Sequence, residues 1–159
     1  MIIKKLFVLG FSAGAHLALL LGNKYYYYIS KLVLLYPVTT SKRKIAHNES
    51  FKYLLGKEEY RLRYKDFYIE KIIHNEMPET FVFHTEDDDI VNVLGVYKLA
   101  EAYSKMKVPL HLHVFPKGRH GLSTIEKRVA FIDQSEEEFI KDNDFVKSYI
   151  SLMIDFLRK

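Results

Sequence analysis

The stretch KKLFVLGFSAGAHLALLLGN, residues 4–23, decides the fold of this chain. It starts with a short apolar run and ends as an apolar helix pattern that stops at a Gly-Asn pair. Between them, GFSAG (10–14) matches the G-x-S-x-G turn that presents a nucleophilic serine between a strand and a helix. Ser12 is therefore the candidate nucleophile, although a Gly-rich turn used only for packing would have the same letters.

The physical demands of such a turn are specific. Positions two before and two after the serine must be small, and the serine is held in a strained backbone conformation above the sheet edge. Ala13 would open the following helix, where backbone N–H groups are free and the dipole end is positive. The Ala13 N–H is therefore the predicted first donor of an oxyanion hole.

Alternating strand and helix patterns predict an open parallel α/β sheet in a single domain, residues 1–159. Four apolar runs are predicted strands, at 5–10, 31–38, 80–86 and 110–116. Helix patterns cover 12–23, 92–107 and 142–159, the last opening at an Asp-Asn cap. SFKYLLG (50–56) and the residues up to about 73 predict short helices over one end of the sheet, where long insertions often shape a binding site.

Composition excludes several classes of site and partner. The chain has 159 residues, 48% hydrophobic and 28% charged, which is enough for one domain with a hydrophobic core. It has no cysteine, which excludes disulfides, thiolate metal sites and a cysteine nucleophile. The net charge of +4 forms no compact basic block, so no nucleic-acid partner is expected. Without a signal-peptide pattern or a run of about 18 apolar residues, we expect a cytoplasmic protein with no membrane partner.

Two loops after predicted strands contain the other groups that a nucleophilic serine needs. HTEDDDIVNV (84–93) follows the third strand, and FPKGRHGLS (115–123), with His120, follows the fourth. The carboxyl ends of parallel strands meet at one edge of the sheet, where open α/β folds place their sites. A serine needs a base to take its proton, and the base needs an acid to orient it. The order Ser12, an aspartate near 88, then His120 therefore predicts a catalytic triad.

These motifs, together with LVLLYPV and PLHLHVFPKGRHGLS, resemble the α/β-hydrolase superfamily over residues 4–122 or so. More narrowly, they resemble its acetylesterase and xylan-esterase-like branch, which is related to dienelactone hydrolase and to the prolyl oligopeptidase catalytic domain. The resemblance implies that Ser12 is the nucleophile and His120 the general base.

The resemblance also implies the position of the acid. The family pattern H-[GT]-x-x-D-x-x-V-P corresponds to HTEDDDIVN at 84–92 and selects Asp88, with asparagine where the family usually has its proline. Asp87 and Asp89 stay open as alternatives, because a one-residue slip of the pattern would select either of them.

Finally, the resemblance implies a partial α/β-hydrolase fold of about four parallel strands with flanking helices. The family's nucleophile strand is the fifth of eight, so the N-terminal half is expected to be absent and the strand at 5–10 to be an edge with unpaired backbone groups. The second oxyanion donor of the family comes from an HGG-type loop, and this sequence contains no such motif. Losing one such donor typically costs about 100- to 1000-fold in turnover.

The predicted function is a serine carboxylic-ester hydrolase of the acetylesterase type, acting through an acyl-enzyme without cofactor or metal. A small acyl ester is the expected substrate, and the resemblance suggests an acetylated carbohydrate. Two alternatives stay open. One is a non-catalytic remnant or subunit that needs a partner chain supplying the N-terminal half. The other is a serine peptidase of the prolyl oligopeptidase type, which would normally come with a large propeller domain.

Three further motifs are predicted to be structural. His111 and His113 share one face of a strand and could clamp a metal, but no third ligand stands at suitable spacing. His16, one turn after the serine, is predicted to pack or cap. The EEE run at 136–138 is predicted to be a solvated stretch before the final helix.

Overall fold

The computed structural model describes residues 6–42, 44–126 and 132–159. Its sheet has four parallel strands, as the sequence predicts, and they pair in chain order. The strands are β1 (Leu6–Phe11), β2 (Ile29–Leu35), β3 (Glu79–Thr85) and β4 (Leu110–Phe115). The α-helices are α1 (Ala13–Lys24), α2 (Asn48–Leu55), α3 (Lys57–Arg63), α4 (Leu94–Met106), α5 (Glu136–Asn143) and α6 (Ser148–Arg158). Lys5, the first residue of the first predicted strand, lies outside the described residues.

Helices cover both faces of the sheet, because the central strands are apolar on both sides. Leu32 and Leu34 of β2 pack with α1 and α4 on one face. Val33 and Leu35, which alternate with them, pack with α5 and α6 on the other face. The result is a three-layer α/β arrangement with the sheet in the middle.

The segment between β2 and β3 forms short helices, as predicted. Besides α2 and α3 it contains 3₁₀ turns at Tyr64–Phe67 and Ile69–Lys71. A separate small core joins this segment to the ends of the sheet, with Phe51 and Tyr60 packed against Val38 and Val91. The segment is thereby fixed over the carboxyl ends of the strands.

The second strand ends earlier than the sequence indicated. β2 stops at Leu35 rather than at residue 38, and Tyr36 has a left-handed backbone with φ of 39°. Pro37 follows it, and a Pro cannot donate a ladder hydrogen bond. The chain therefore leaves the sheet directly beside the serine turn.

The prediction of one continuous final helix from 142 to 159 was wrong. α5 ends at Asn143, a 3₁₀ turn covers Asp144–Lys147, and only then does α6 begin. Periodicity alone did not reveal this break, because the apolar spacing continues across the 3₁₀ turn.

The EEE run at 136–138 is exposed and precedes the final helix, as predicted, and it forms the first turn of α5. The Ser135 side chain accepts a hydrogen bond from the Glu138 N–H, and the Glu138 carboxylate accepts one from the Ser135 N–H. This capping box satisfies two backbone donors at the helix start, where acidic side chains also favour the dipole.

Candidate active site

The turn between β1 and α1 holds Ser12 in the strained conformation that the motif predicts. Its φ of 50° and ψ of −119° are rarely adopted by a residue other than glycine. The Ser12 N–H donates to the Leu35 carbonyl at 2.9 Å, and its carbonyl accepts from the Val38 N–H at 3.2 Å. The serine is therefore tied on both sides to the chain that leaves β2.

The two glycines of the motif have different roles. A Cβ added to Gly10 would lie 2.5 Å from the Gly14 carbonyl oxygen and 2.6 Å from the Ala15 Cα, so only glycine fits there. A Cβ added to Gly14 would meet no heavy atom of the described residues within 4 Å. The expected need for a small residue is thus confirmed two positions before the serine, but not two positions after it.

The structure brings Ser12, His120 and Asp88 together although they come from three separate strand ends. His120 Nε2 lies 2.8 Å from Ser12 Oγ, and His120 Nδ1 lies 2.8 Å from Asp88 Oδ2. The side chain of Asp88 is 1% exposed and that of His120 is 12% exposed. With the Nδ1 proton donated to the carboxylate, the Nε2 lone pair faces the serine hydroxyl, as a general base requires.

The three consecutive aspartates contact different parts of the loop that carries His120. Asp88 Oδ2 is the partner of the imidazole. Asp87 Oδ1 accepts from the Gly118 N–H at 2.6 Å, and Asp89 Oδ1 accepts from the His120 N–H at 3.0 Å. Of the three aspartates, the structure therefore places Asp88 at the imidazole and its two neighbours on backbone N–H groups of the loop.

Asp88 is held as a carboxylate. Burial acts to raise its pKa, but hydrogen bonds from His120 and from the backbone N–H groups of Val91 and Ile90 outweigh burial and lower the pKa below its ordinary value. A charged Asp88 fixes the imidazole tautomer and would stabilise an imidazolium.

Behind the aspartate lies His84, a buried residue of β3. Its Nε2 hydrogen bonds to the Val91 carbonyl at 2.9 Å and lies 3.4 Å from Asp88 Oδ2. Burial lowers the pKa of His84, which keeps it neutral despite the nearby carboxylate. The His84 side chain therefore supports the loop that contains Asp88 from the β3 side.

Ala13 is the first residue of α1 and is exposed, so its N–H is available at the helix start beside the serine. A cavity of about 330 Å³ adjoins it, lined mainly by apolar side chains of α1 and α2 together with Val38 and His16. His16 is buried, as predicted for a packing residue. Its Nδ1 lies 3.0 Å from the Val38 carbonyl oxygen, and its Nε2 has no hydrogen-bond partner among the described residues. The cavity therefore opens beside the residue that follows Ser12.

Sequence reasoning missed the contact between Tyr36 and His120. Their ring centroids are 4.9 Å apart, with the planes at 73°. The sequence placed Tyr36 inside a predicted strand, and only the Tyr-Pro dipeptide indicated that the strand ends there.

The remaining histidines that were considered as metal ligands have other contacts. His111 Nε2 lies 2.8 Å from Glu79 Oε1, and the His113 ring packs on Phe81 at 4.8 Å. Across the described ranges, no three His, Cys, Asp or Glu side chains are arranged to hold a metal ion. Nor does any helix in those ranges have the length and hydrophobicity to cross a bilayer.

Comparison with known proteins gives a family match over most of the chain. The sequence model of the prolyl oligopeptidase family matches residues 2–143. An endo-1,4-beta-xylanase B from Butyrivibrio fibrisolvens is 35% identical in an alignment 133 residues long, which covers 76% of this chain and 21% of that protein.

Solved structures with the same fold are α/β hydrolases. An acetyl ester-xyloside bifunctional hydrolase from Caldicellulosiruptor lactoaceticus is 30% identical with a TM-score of 0.69, over 90% of this chain and 57% of that one. A sugar hydrolase from Lactococcus lactis is 28% identical with a TM-score of 0.77, over 98% of this chain and 58% of that one. The chain therefore spans little more than half the length of these structures and about a fifth of the xylanase.

Proposed function

The chain belongs to the prolyl oligopeptidase family of α/β hydrolases, and on that premise we propose that it is a serine ester hydrolase of the acetylesterase type. The observation that supports this proposal most directly is the chain of two 2.8 Å hydrogen bonds from Ser12 through His120 to Asp88. Strain at Ser12, burial of Asp88 and the helix start at Ala13 support the same roles.

In the proposed reaction, Ser12 Oγ attacks the ester carbonyl carbon while His120 Nε2 takes the hydroxyl proton. The negative charge develops on the former carbonyl oxygen, where the Ala13 N–H donates to it. The imidazolium, oriented by Asp88, then protonates the leaving alcohol as the carbon–oxygen bond breaks. A water molecule then attacks the acyl carbon while His120 takes a proton from it. The carbon–oxygen bond to Ser12 breaks, His120 returns the proton to Ser12 Oγ, and the acid leaves.

The first test is burst kinetics with p-nitrophenyl acetate on the purified chain beside Ser12→Ala. We expect a rapid p-nitrophenol burst that Ser12→Ala lacks, followed by slow turnover. If the Ala13 N–H acts as a single oxyanion donor, the turnover should be about 100- to 1000-fold below that of a site with two donors. A monodisperse wild-type chain with the same rate as Ser12→Ala would contradict the proposal.

The proposed substrate class is a small acyl ester, with an acetylated carbohydrate as the natural form. Two similar proteins carry names that point this way, one an endo-1,4-beta-xylanase and one an acetyl ester-xyloside bifunctional hydrolase. The measurement is Ser12-dependent acetate release from acetylated xylo-oligosaccharides, compared with hydrolysis of p-nitrophenyl butyrate. Preference for the butyrate, with no acetate released from the sugar, would overturn this substrate assignment.

A second candidate function is a subunit that becomes active only with a partner chain supplying the N-terminal half. The observation that favours it is the first strand, in which Leu6, Phe7, Leu9 and Phe11 are exposed and only the β2 side is paired among the described residues. Mixing the chain with the N-terminal half of the Lactococcus lactis sugar hydrolase tests the idea. Recovery of Ser12-dependent activity in a one-to-one complex is expected if this candidate is right.

The family name favours a peptidase as a further candidate. Here the discriminating measurement is the ratio of rates on an aminoacyl-proline amide and on p-nitrophenyl acetate. An ester hydrolase should prefer the acetate, whereas a clear preference for the amide would support the peptidase.

A further inference from the structure

The Tyr36 backbone has an unusual conformation at the point where β2 leaves the sheet. Its φ of 39° lies in the left-handed region, which a residue other than glycine adopts only at an energetic cost. The residue is only 6% exposed, and its N–H donates to the Phe83 carbonyl at 2.7 Å, one step beyond the last β2–β3 residue pair. The fold therefore keeps this side chain in one place at an energetic cost.

That place is against the candidate base. The Tyr36 ring meets the His120 imidazole nearly edge to face at 4.9 Å, and it also contacts Phe11 and Phe83. The contacts of Gly118 and the His120 N–H with the aspartates fix the loop backbone, but they do not by themselves fix the rotation of the imidazole. The hydrogen bond between Asp88 and Nδ1 orients one side of the imidazole, and the Tyr36 ring beside it restricts rotations that would break the bond to Ser12.

The Tyr36 hydroxyl reaches the same loop three residues further on. Burial raises the pKa of Tyr36 and the neighbouring Ser123 offsets part of that rise, so the hydroxyl lies near Ser123. The Tyr149 hydroxyl donates to the Ser123 carbonyl. Ser123 has a φ of 47°, so the loop after His120 turns sharply where the two tyrosines meet it. Tyr36 thus contacts the His120 loop both at the imidazole and at its far end.

The turn that contains Tyr36 also anchors the nucleophile. Leu35 and Val38, on either side of it, make the two backbone hydrogen bonds to Ser12. The same turn therefore contacts both Ser12 and His120, whose Oγ and Nε2 atoms are 2.8 Å apart. We propose that Tyr36 is a positioning residue whose ring holds the His120 imidazole at hydrogen-bonding distance from Ser12; this proposal rests on the proposed ester hydrolase function.

The test compares Tyr36→Leu and Tyr36→Phe with matched variants of Tyr103. Tyr103 is a fully buried tyrosine of α4 that hydrogen bonds to Thr80 in the core on the opposite face of the sheet. Because small misplacements of reacting groups cost up to about 100-fold, we expect Tyr36→Leu to lower kcat by about 10- to 100-fold with little change in KM. Tyr36→Phe, which keeps the ring, should retain most of kcat, and Tyr103→Leu should lower the melting temperature but not kcat.

A spectroscopic readout separates positioning from stability. The Nδ1 proton between His120 and Asp88 should give a low-field proton resonance in the wild type and in Tyr103→Leu. In Tyr36→Leu that resonance should broaden or shift. Equal kcat in the two leucine variants, or an unchanged low-field resonance in Tyr36→Leu, would overturn the proposal.

Measurements on the wild-type protein decide the two cases in which the variants give no kinetic answer. If Tyr36→Leu does not fold, nuclear Overhauser contacts between the ring protons of Tyr36 and His120 are decisive, since they are expected at this separation and their absence contradicts the inference. If the wild type hydrolyses no ester, the proposed function fails, while the same ring contacts and low-field proton still decide whether Tyr36 positions the imidazole.

Discussion

At the scale of single residues, each of the three aspartates at 87–89 makes a different contact, and the family pattern describes only one of them. The pattern register selected Asp88, and the hydrogen bond to His120 Nδ1 agrees with it. The backbone contacts of Asp87 and Asp89 depend on how the loop at Gly118 lies against β3, which is decided by tertiary packing. The sequence could therefore select Asp88 for the contact with His120, but it could not predict the contacts of Asp87 and Asp89.

Replacing these aspartates one at a time should separate their roles. Asp88→Asn removes the charge and allows the wrong imidazole tautomer, so we expect kcat/KM for p-nitrophenyl acetate to fall by about 10⁴-fold. Asp87→Asn and Asp89→Asn keep an oxygen that can accept from the backbone N–H groups, so they should have much smaller effects. A larger loss in Asp87→Asn than in Asp88→Asn would assign the acid differently.

The two motif glycines provide a second matched pair. Gly10→Ala forces a Cβ into backbone atoms of Gly14 and Ala15, so the serine turn must open and Ser12-dependent activity should be lost together with stability. Gly14→Ala places its Cβ in open space on a helix and should leave stability unchanged or raise it by up to about 1 kcal/mol. Urea unfolding and burst amplitude of both variants check this, and equal damage in both would contradict the packing difference.

At the scale of elements, apolar runs and loop positions predicted the sheet and the strand ends that meet at the site. The serine turn was predictable because its strand, turn and helix are contiguous in sequence. The early end of β2 and the break between α5 and α6 were not predicted. The first depends on the left-handed backbone of Tyr36 before Pro37, and the second on a 3₁₀ turn across which the apolar spacing continues.

A buried lysine connects β2 to the end of α6. Lys31 Nζ donates to the Phe156 carbonyl at 2.5 Å and lies 4.8 Å from the centroid of the Phe156 ring. A cation at a helix C-terminus interacts favourably with the dipole, so we expect Lys31→Met to lower the free energy of unfolding by about 1–3 kcal/mol. Thermal unfolding beside Lys141→Met, an exposed lysine of α5, measures it. Equal melting temperatures for the two variants would mean that Lys31 does not stabilise α6.

Buried histidines in α1 and β3 should make stability depend on pH. Burial lowers the pKa of His16 and of His84 in the folded chain. As pH falls below about 6.5, the unfolded chain binds protons at these histidines that the folded chain does not. The contribution of each histidine to the free energy of unfolding is therefore fully present above about pH 6.5. Below that value it decreases by up to about 1.4 kcal/mol per pH unit for each histidine. The lowered pKa of Asp88 acts only at more acidic pH, below about 4.

Urea unfolding between about pH 7.5 and pH 5.5 measures this dependence, with His84→Gln as the comparison. Glutamine can still donate to the Val91 carbonyl but does not titrate, so the variant should show a shallower decrease than the wild type. An identical slope in both proteins would mean that His84 does not contribute.

At the scale of the whole molecule, the edge strand β1 and the neighbouring helix α1 both expose apolar side chains. Leu9 of β1 is 45% exposed, and Leu17 and Leu21 of α1 are also exposed. Exposed strand edges and contiguous apolar patches promote association, so we expect the isolated chain to self-associate as its concentration rises.

Charge on this strand and helix should suppress the association. We expect Leu9→Lys combined with Leu21→Lys to shift the sedimentation profile toward the monomer. Leu62→Lys, on an exposed leucine of α3, should leave it unchanged. If the control reduces association as much as the double variant, the edge is not the responsible surface.

The parallel sheet whose strands pair in chain order has a consequence for biosynthesis. Each strand finds its neighbour in the segment made just before it, so the sheet can grow stepwise as the polypeptide leaves the ribosome. The contact between Ser12 and His120, however, spans 108 positions of sequence. A nascent chain would therefore expose the Ser12 hydroxyl long before His120 is made, and the contact between the two side chains would form in a single late event, when the fourth strand docks.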